Sequence, residues 1–182
     1  MRYQTIRKQQ YDYHKDHDRS PYTWFKACFY MESASILVYL LQYSKVKPDN
    51  ISILYGILGI IGGIALGTGH PTLTLIAIAI FFFKGILDWS DGHLARLKKM
   101  TSPAGADLDR FCGTIGTAFF YMGLLFYVAH RIDFYLFILL TPFFLYLRKK
   151  ISFLRFIDGR ARTIDTICLL VLLDIFCFVR YT

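Results

Sequence analysis

Residues 88–109 read DWSDGHLARLKKMTSPAGADLD and lie between two apolar runs, each long enough to cross a bilayer. Four carboxylates, five glycines or alanines and one arginine are gathered there. Carboxylates beside membrane-length segments are costly unless they face a cavity and bind something. A chain of this kind has to pack apolar helices around a polar end, and a metal–phosphate complex is the ligand chemistry that suits that end.

The remaining sequence fits a membrane protein. Hydrophobic residues make up 55% of the 182 positions and aromatics 18%, with a mean hydropathy of +0.40. These values are high for a soluble domain and predict an all-α, polytopic bundle. Spans are expected at 51–68, 72–88, about 107–129, about 133–147 and about 164–180. Residues 24–43 would make a sixth span, but Lys26 and Glu32 favour an interfacial or partly inserted helix. The domain reading is therefore an N-terminal arm and interfacial helix over 1–44, then a transmembrane domain over 45–182. Pro48 breaks the pattern before the first span, and Asp49 or Asn50 can cap its helix. Gly59, Gly63 and Gly67 give that helix a smooth face for close packing.

Charge gives orientation. The net charge of +8 resides mostly in the tail and in loops, which argues against nucleic-acid binding. Arg96, Lys98 and Lys99 follow the second span, and Arg148, Lys149, Lys150, Arg155, Arg160 and Arg162 follow the fourth. The opposite side has only Arg131 and Arg180, so the positive-inside rule puts the acidic stretch at the cytoplasmic face. Cys28, Cys112, Cys168 and Cys177 form no CxxC pair and read as small core residues. The first 23 residues have no apolar core before a small-residue cleavage site, so no secretory signal is expected.

On a helix Asp88 and Asp91 share a face, and Asp109 opens the next span. Three carboxylates aimed at one pocket would suit Mg²⁺ or Mn²⁺, which take oxygen ligands and complete their shells with phosphates. Gly92 admits a ligand to the backbone, and Arg96 offers a planar fork for phosphate. The structural alternative is that the aspartates cap helix ends and pair with Lys84, Arg96 and Arg110. His70, His93 and His130 are single and unclustered and read as interfacial residues.

The string Asp88-x-x-Asp91-Gly92-x-x-Ala95-Arg96, followed after eight residues by Gly105-x-x-x-Asp109, resembles the signature of the CDP-alcohol phosphotransferases. That signature is D-x-x-D-G-x-x-A-R, a short gap, then G-x-x-x-D-x-x-x-D. Pro48-Asp49-Asn50-Ile51-Ser52 resembles the family's lead-in to its first span, and Gly159–Thr163 a basic segment before a late one. The resemblance covers roughly 47–180 and implies a membrane enzyme, commonly a homodimer. Such an enzyme moves a substituted phosphate from a CDP-alcohol donor, such as CDP-diacylglycerol, to an acceptor hydroxyl with release of CMP. It implies two divalent metals, with Asp88 and Asp109 bridging them and Asp91 completing one. Gly92, Arg96, Ser102 and Gly105 would line the nucleotide site, with Asn50 and Ser52 nearby. Arg155, Arg160 and Arg162 could meet an anionic acceptor, or simply follow the positive-inside rule.

One position departs. The family's fourth aspartate, proposed to take the acceptor's proton, is Gly113 here. Asp107 lies about 200° around the helix from Asp109 and is a poor substitute. Asp174, inside the last apolar run, and His93, inside the motif, are the remaining candidates for the base. The alternative is a relative that binds metal and nucleotide without turnover.

Overall fold

The computed structural model describes residues 1–13, 25–131 and 160–179. All regular elements among them are helices: α1 Tyr3–Tyr13, α2 Glu32–Leu41, α3 Pro48–Gly67, α4 Pro71–Leu97, α5 Pro103–Arg131 and α6 Arg160–Val179. A π-helical segment, Lys26–Met31, runs directly into α2. The helices α3, α4 and, over Pro103–His130, α5 are long and apolar enough to cross a membrane. The predicted fourth span, 133–147, lies outside the described residues, as does Arg155.

Proline starts each of the three long helices, at 48, 71 and 103. Its fixed φ suits the first helical position, where its missing N–H costs nothing. Asp49 and Asn50 thus lie in the first turn of α3 and do not cap it; Asp49 there complements the helix dipole. Gly69, at φ +66°, makes the tight turn ahead of α4.

The second span, expected to end at residue 88, continues as helix through the acidic stretch to Leu97. Leu87, Ser90, Asp91 and Leu94 are all buried, a spacing of one helix face. Polar composition conceals that face from a hydropathy reading. The helix ends at Leu97 in a Schellman turn, with Met100 N–H donating to Ala95 O at 2.9 Å and Lys99 N–H to Arg96 O at 3.2 Å. Lys99 takes the left-handed position, φ 55°, usual for glycine. At the next helix the Ser102 side chain accepts from Gly105 N–H at 3.0 Å, so Ser102 caps α5.

The chain divides into two compact units. The first comprises Met1–Leu58 and Phe83–Gly116. Its core gathers Ile6, Val38, Ile51, Tyr55, Leu87 and Leu94. The N-terminal arm contributes a helix to this unit, α1. Packed on α2, α1 directs three side chains at one carboxylate. Glu32 accepts from Tyr3 Oη at 2.9 Å, Arg7 Nε at 2.7 Å and Tyr11 Oη at 2.7 Å. The Arg7 hydrogen bond leads in pulling the Glu32 carboxyl down to about 2, and burial, reinforced by Glu32, lifts the Tyr11 phenol to about 12. In the same unit Lys26, buried, places its ammonium 4.8 Å from the Trp89 ring centre.

The second unit comprises Gly59–Phe82 and Thr117–Thr182. Phe81 and Phe120 meet edge to face at 4.8 Å in its core, a pairing worth about 0.5–1.5 kcal/mol beyond area burial. The expected smooth face of α3 is used there: a Cβ on Gly63 would stand 2.4 Å from the Phe119 carbonyl oxygen, and one on Gly123 2.1 Å from that of Gly63. Tyr127 Oη donates to Asp174 at 2.5 Å. Among the cysteines, Cys112 and Cys168 are buried as expected, whereas Cys28 is exposed because it lies on the outer face of the π-helical segment.

Candidate functional site

A cavity of about 320 Å³ opens in the first unit, with Asp91, Gly92, Arg96, Ser102, Gly105 and Asp109 on its wall. These motif residues, separated by up to 18 positions, therefore share one space. Two hydroxyls hold its carboxylates. Ser52 Oγ donates to Asp91 Oδ2 at 2.5 Å, while Gly92 N–H lies 2.5 Å from Asp91 Oδ1. Tyr55 Oη donates to the Asp109 carboxylate and lies 2.6 Å from the Asp109 carbonyl oxygen. Lys84 adds its ammonium 4.9 Å from the Tyr55 ring centre.

Arg96 forms the basic side. Its guanidinium carbon lies 3.9 Å from the Tyr13 ring centre, and its Nη2 donates to Gln10 Oε1 at 3.4 Å. A Cβ on Gly92 would come within 3.4 Å of Arg96 Nη1, so glycine keeps this part of the wall open. A Cβ on Gly105 would meet Ser102 Oγ at 3.1 Å and Asp49 Oδ1 at 3.3 Å.

Of the other expected site residues only Ser52 lines the cavity among the described residues. Asn50 is exposed and does not line the cavity, whereas its neighbour Asp49 does. Ser52 lines it and also orients Asp91. His93 is only 2% exposed, off the cavity wall, with neither ring nitrogen hydrogen-bonded among the described residues. Asp174 belongs to the second unit, where it accepts from Tyr127. Asp107 is on the surface, 3.2 Å from Arg110. Gly113 is buried one turn after Asp109 on α5. Arg160 and Arg162 begin α6, but their side chains, like all of Arg155, lie outside the described residues. Sequence reasoning missed Tyr55, Asp49, Tyr13 and Gln10. Only Tyr55 carried a signal, three positions after Ser52 on the same helix face.

A family model, CDP-alcohol phosphatidyltransferase, matches residues 45–178. The chain belongs to that family. It is accordingly an integral membrane protein of a transferase family whose substrates are a CDP-alcohol and an alcohol acceptor. A comparison with curated proteins gave no match. CDP-alcohol phosphatidyltransferases use divalent metals. The donor chemistry here fits such ions: all three motif aspartates offer hard oxygens, and two of them line the cavity. Among the described residues no three histidine, cysteine or acidic side chains are gathered closely enough to hold an ion. A carboxylate has about four lone-pair sites, so Ser52 on Asp91 and Tyr55 on Asp109 orient these groups and leave other sites for an ion.

Proposed function

We propose that this chain is an active phosphotransferase, moving a substituted phosphate from a CDP-alcohol such as CDP-diacylglycerol to an acceptor hydroxyl. The acceptor oxygen forms a bond to the phosphorus carrying the donor's alcohol, the pyrophosphate bridge breaks, and CMP leaves. The observation that carries this reading is the cavity joining two motif aspartates, Asp91 and Asp109, to Arg96.

Each wall has a task. Asp91 and Asp109, with Asp88, would hold Mg²⁺ or Mn²⁺. Bound divalent ions would neutralise the pyrophosphate and stabilise the departing phosphate of CMP. Arg96 presents in-plane N–H donors to phosphate oxygens. Open backbone at Gly92 and Gly105 leaves room for the nucleotide. Ser102 has one hydroxyl proton to give while its oxygen accepts from Gly105. With glycine at 113, the acceptor's proton passes to a cavity carboxylate, Asp91 or Asp109. His93 and Asp174 do not line the cavity and are not the base in this reading. The positive-inside rule, read from the basic residues of the sequence, supports a cavity facing the cytoplasm, where nucleotide-activated donors are made.

A second reading, metal and nucleotide binding without turnover, is favoured by one observation, Gly113 itself. The two separate in lipid. Purified protein with CDP-diacylglycerol, Mg²⁺ or Mn²⁺ and a panel of hydroxyl acceptors should release CMP, and Asp91→Asn and Asp109→Asn should abolish release. Absence of metal-dependent release across a broad panel sinks the enzymatic reading. Nucleotide binding that persists without release, and is lost in Arg96→Ala, establishes the second.

A further inference from the structure

Arg96 is the motif's only guanidinium, and the cavity does not hold it unaided. Both contacts given above come from α1, in a part of the chain that precedes the family-matched residues 45–178. The Arg96 guanidinium carbon lies over the Tyr13 ring, 3.9 Å from its centre. A cation–π contact uses the ring's face, and with five N–H donors the guanidinium keeps some for other partners. Gln10 Oε1 takes one of these donors at 3.4 Å. An arginine held in this way has already lost much of the rotamer freedom that phosphate binding would otherwise cost.

Gln10 is an unusual residue for packing alone. It is completely buried, and its Nε2 has no hydrogen-bond partner among the described residues. A buried amide with an unsatisfied donor is disfavoured relative to an apolar side chain of similar size. Its useful atom is Oε1, directed at Arg96. The helix carrying both residues is firmly attached elsewhere, by Ile6 in the core and by Tyr3, Arg7 and Tyr11 on Glu32. Tyr13 is 63% exposed overall and also lines the cavity, so one end of α1 forms part of the site's wall.

We propose that Gln10 and Tyr13 are positioning residues that orient Arg96 toward the phosphates of a nucleoside-diphosphate donor. The inference rests on the phosphotransferase or nucleotide-binding reading of the cavity. It adds that the N-terminal helix, outside the family segment, completes the donor site.

The test measures CDP affinity by calorimetry on the full chain in nanodiscs with Mg²⁺, for wild type, Tyr13→Ala, Tyr13→Phe, Gln10→Leu, Arg96→Ala and the Tyr13→Ala/Arg96→Ala pair. Thermal midpoints are recorded for every variant. Tyr13→Ala should weaken CDP binding about two- to fivefold, the size of an exposed cation–π contact. Tyr13→Phe should keep most of the affinity that Tyr13→Ala loses, because the ring supplies the cation–π contact. Gln10→Leu should lose affinity while keeping its thermal midpoint. In the Arg96→Ala background, Tyr13→Ala should add nothing. Equal CDP binding by Tyr13→Ala and wild type, or an undiminished Tyr13→Ala effect in the Arg96→Ala background, overturns the positioning role and leaves the cavity assignment intact. Failure of wild type to bind CDP at all overturns the assignment first, and this inference with it.

Discussion

Ser52 Oγ donates to Asp91 Oδ2 across 2.5 Å, joining the start of α3 to the acidic end of α4. The serine is buried at 3% exposure and Asp91 at 5%, so water does not readily replace either partner. A hydroxyl that orients a ligating carboxylate commonly matters as much as the ligand's neighbours do. Ser52→Ala should weaken metal-dependent CDP binding about ten- to hundredfold. Ser52→Thr, which keeps the hydroxyl, should recover most of it. Calorimetric titration of CDP at fixed Mg²⁺ checks both.

Gly113→Asp supplies the carboxylate that the family signature has one turn after Asp109. General-base assistance contributes about 10²–10⁴-fold where it operates. An increase of at least about tenfold in metal-dependent CMP release is expected, since part of that range is lost to imperfect placement. A release assay with CDP-diacylglycerol measures it. An unchanged rate would mean that the acceptor's proton already leaves by an adequate route.

The Glu32 cluster makes attachment of α1 depend on pH at both ends. Its carboxyl, ordinarily at 4.5, is held down to about 2 in the folded chain. The unfolded state therefore binds the proton more readily, and this contribution is complete above about pH 4.5 and lost as pH falls toward 2. Tyr11 behaves in the opposite sense. Its phenol is raised from 10 to about 12, so its contribution is complete below pH 10 and lost as pH rises toward 12. Protease cleavage within residues 1–13 should rise in both windows and stay low between them. Glu32→Gln should flatten the acid window.

Gly63 and Gly123 pack backbone to backbone in the second unit. Gly63→Ala and Gly123→Ala should each destabilise by about 1–3 kcal/mol, because the colliding atoms are carbonyl groups that cannot rotate away. Gly62→Ala is the contrast. Its Cβ would meet only the Ile80 and Phe81 side chains, at 3.0–3.2 Å, and these can shift. Thermal unfolding in mild detergent should rank Gly62→Ala as the mildest of the three.

These relationships divide into what was legible from the sequence and what was not. The three long spans were readable because their apolar composition is local. The motif residues were readable by spacing, and Asp91, Gly92, Arg96, Ser102, Gly105 and Asp109 do share a cavity. The helical continuation to Leu97 was not, since Ser90 and Asp91 are polar residues on a buried face. Cys28 and Asn50 were misplaced because apolar or motif-like neighbours say nothing about which side of a helix faces outward.

By itself the sequence determined an all-helical membrane chain with a clustered acidic site and glycine at the fourth position. Composition and short-range periodicity suffice for that, because each helix satisfies its own backbone hydrogen bonds. Tertiary structure alone decided what holds the site. Ser52 reaches Asp91 over 39 residues, Tyr55 reaches Asp109 over 54, and Gln10 reaches Arg96 over 86. No local periodicity encodes contacts at those separations. They exist because packing of the first unit's core, with Ile6, Tyr55 and Leu94 together, brings distant helix faces within hydrogen-bond reach.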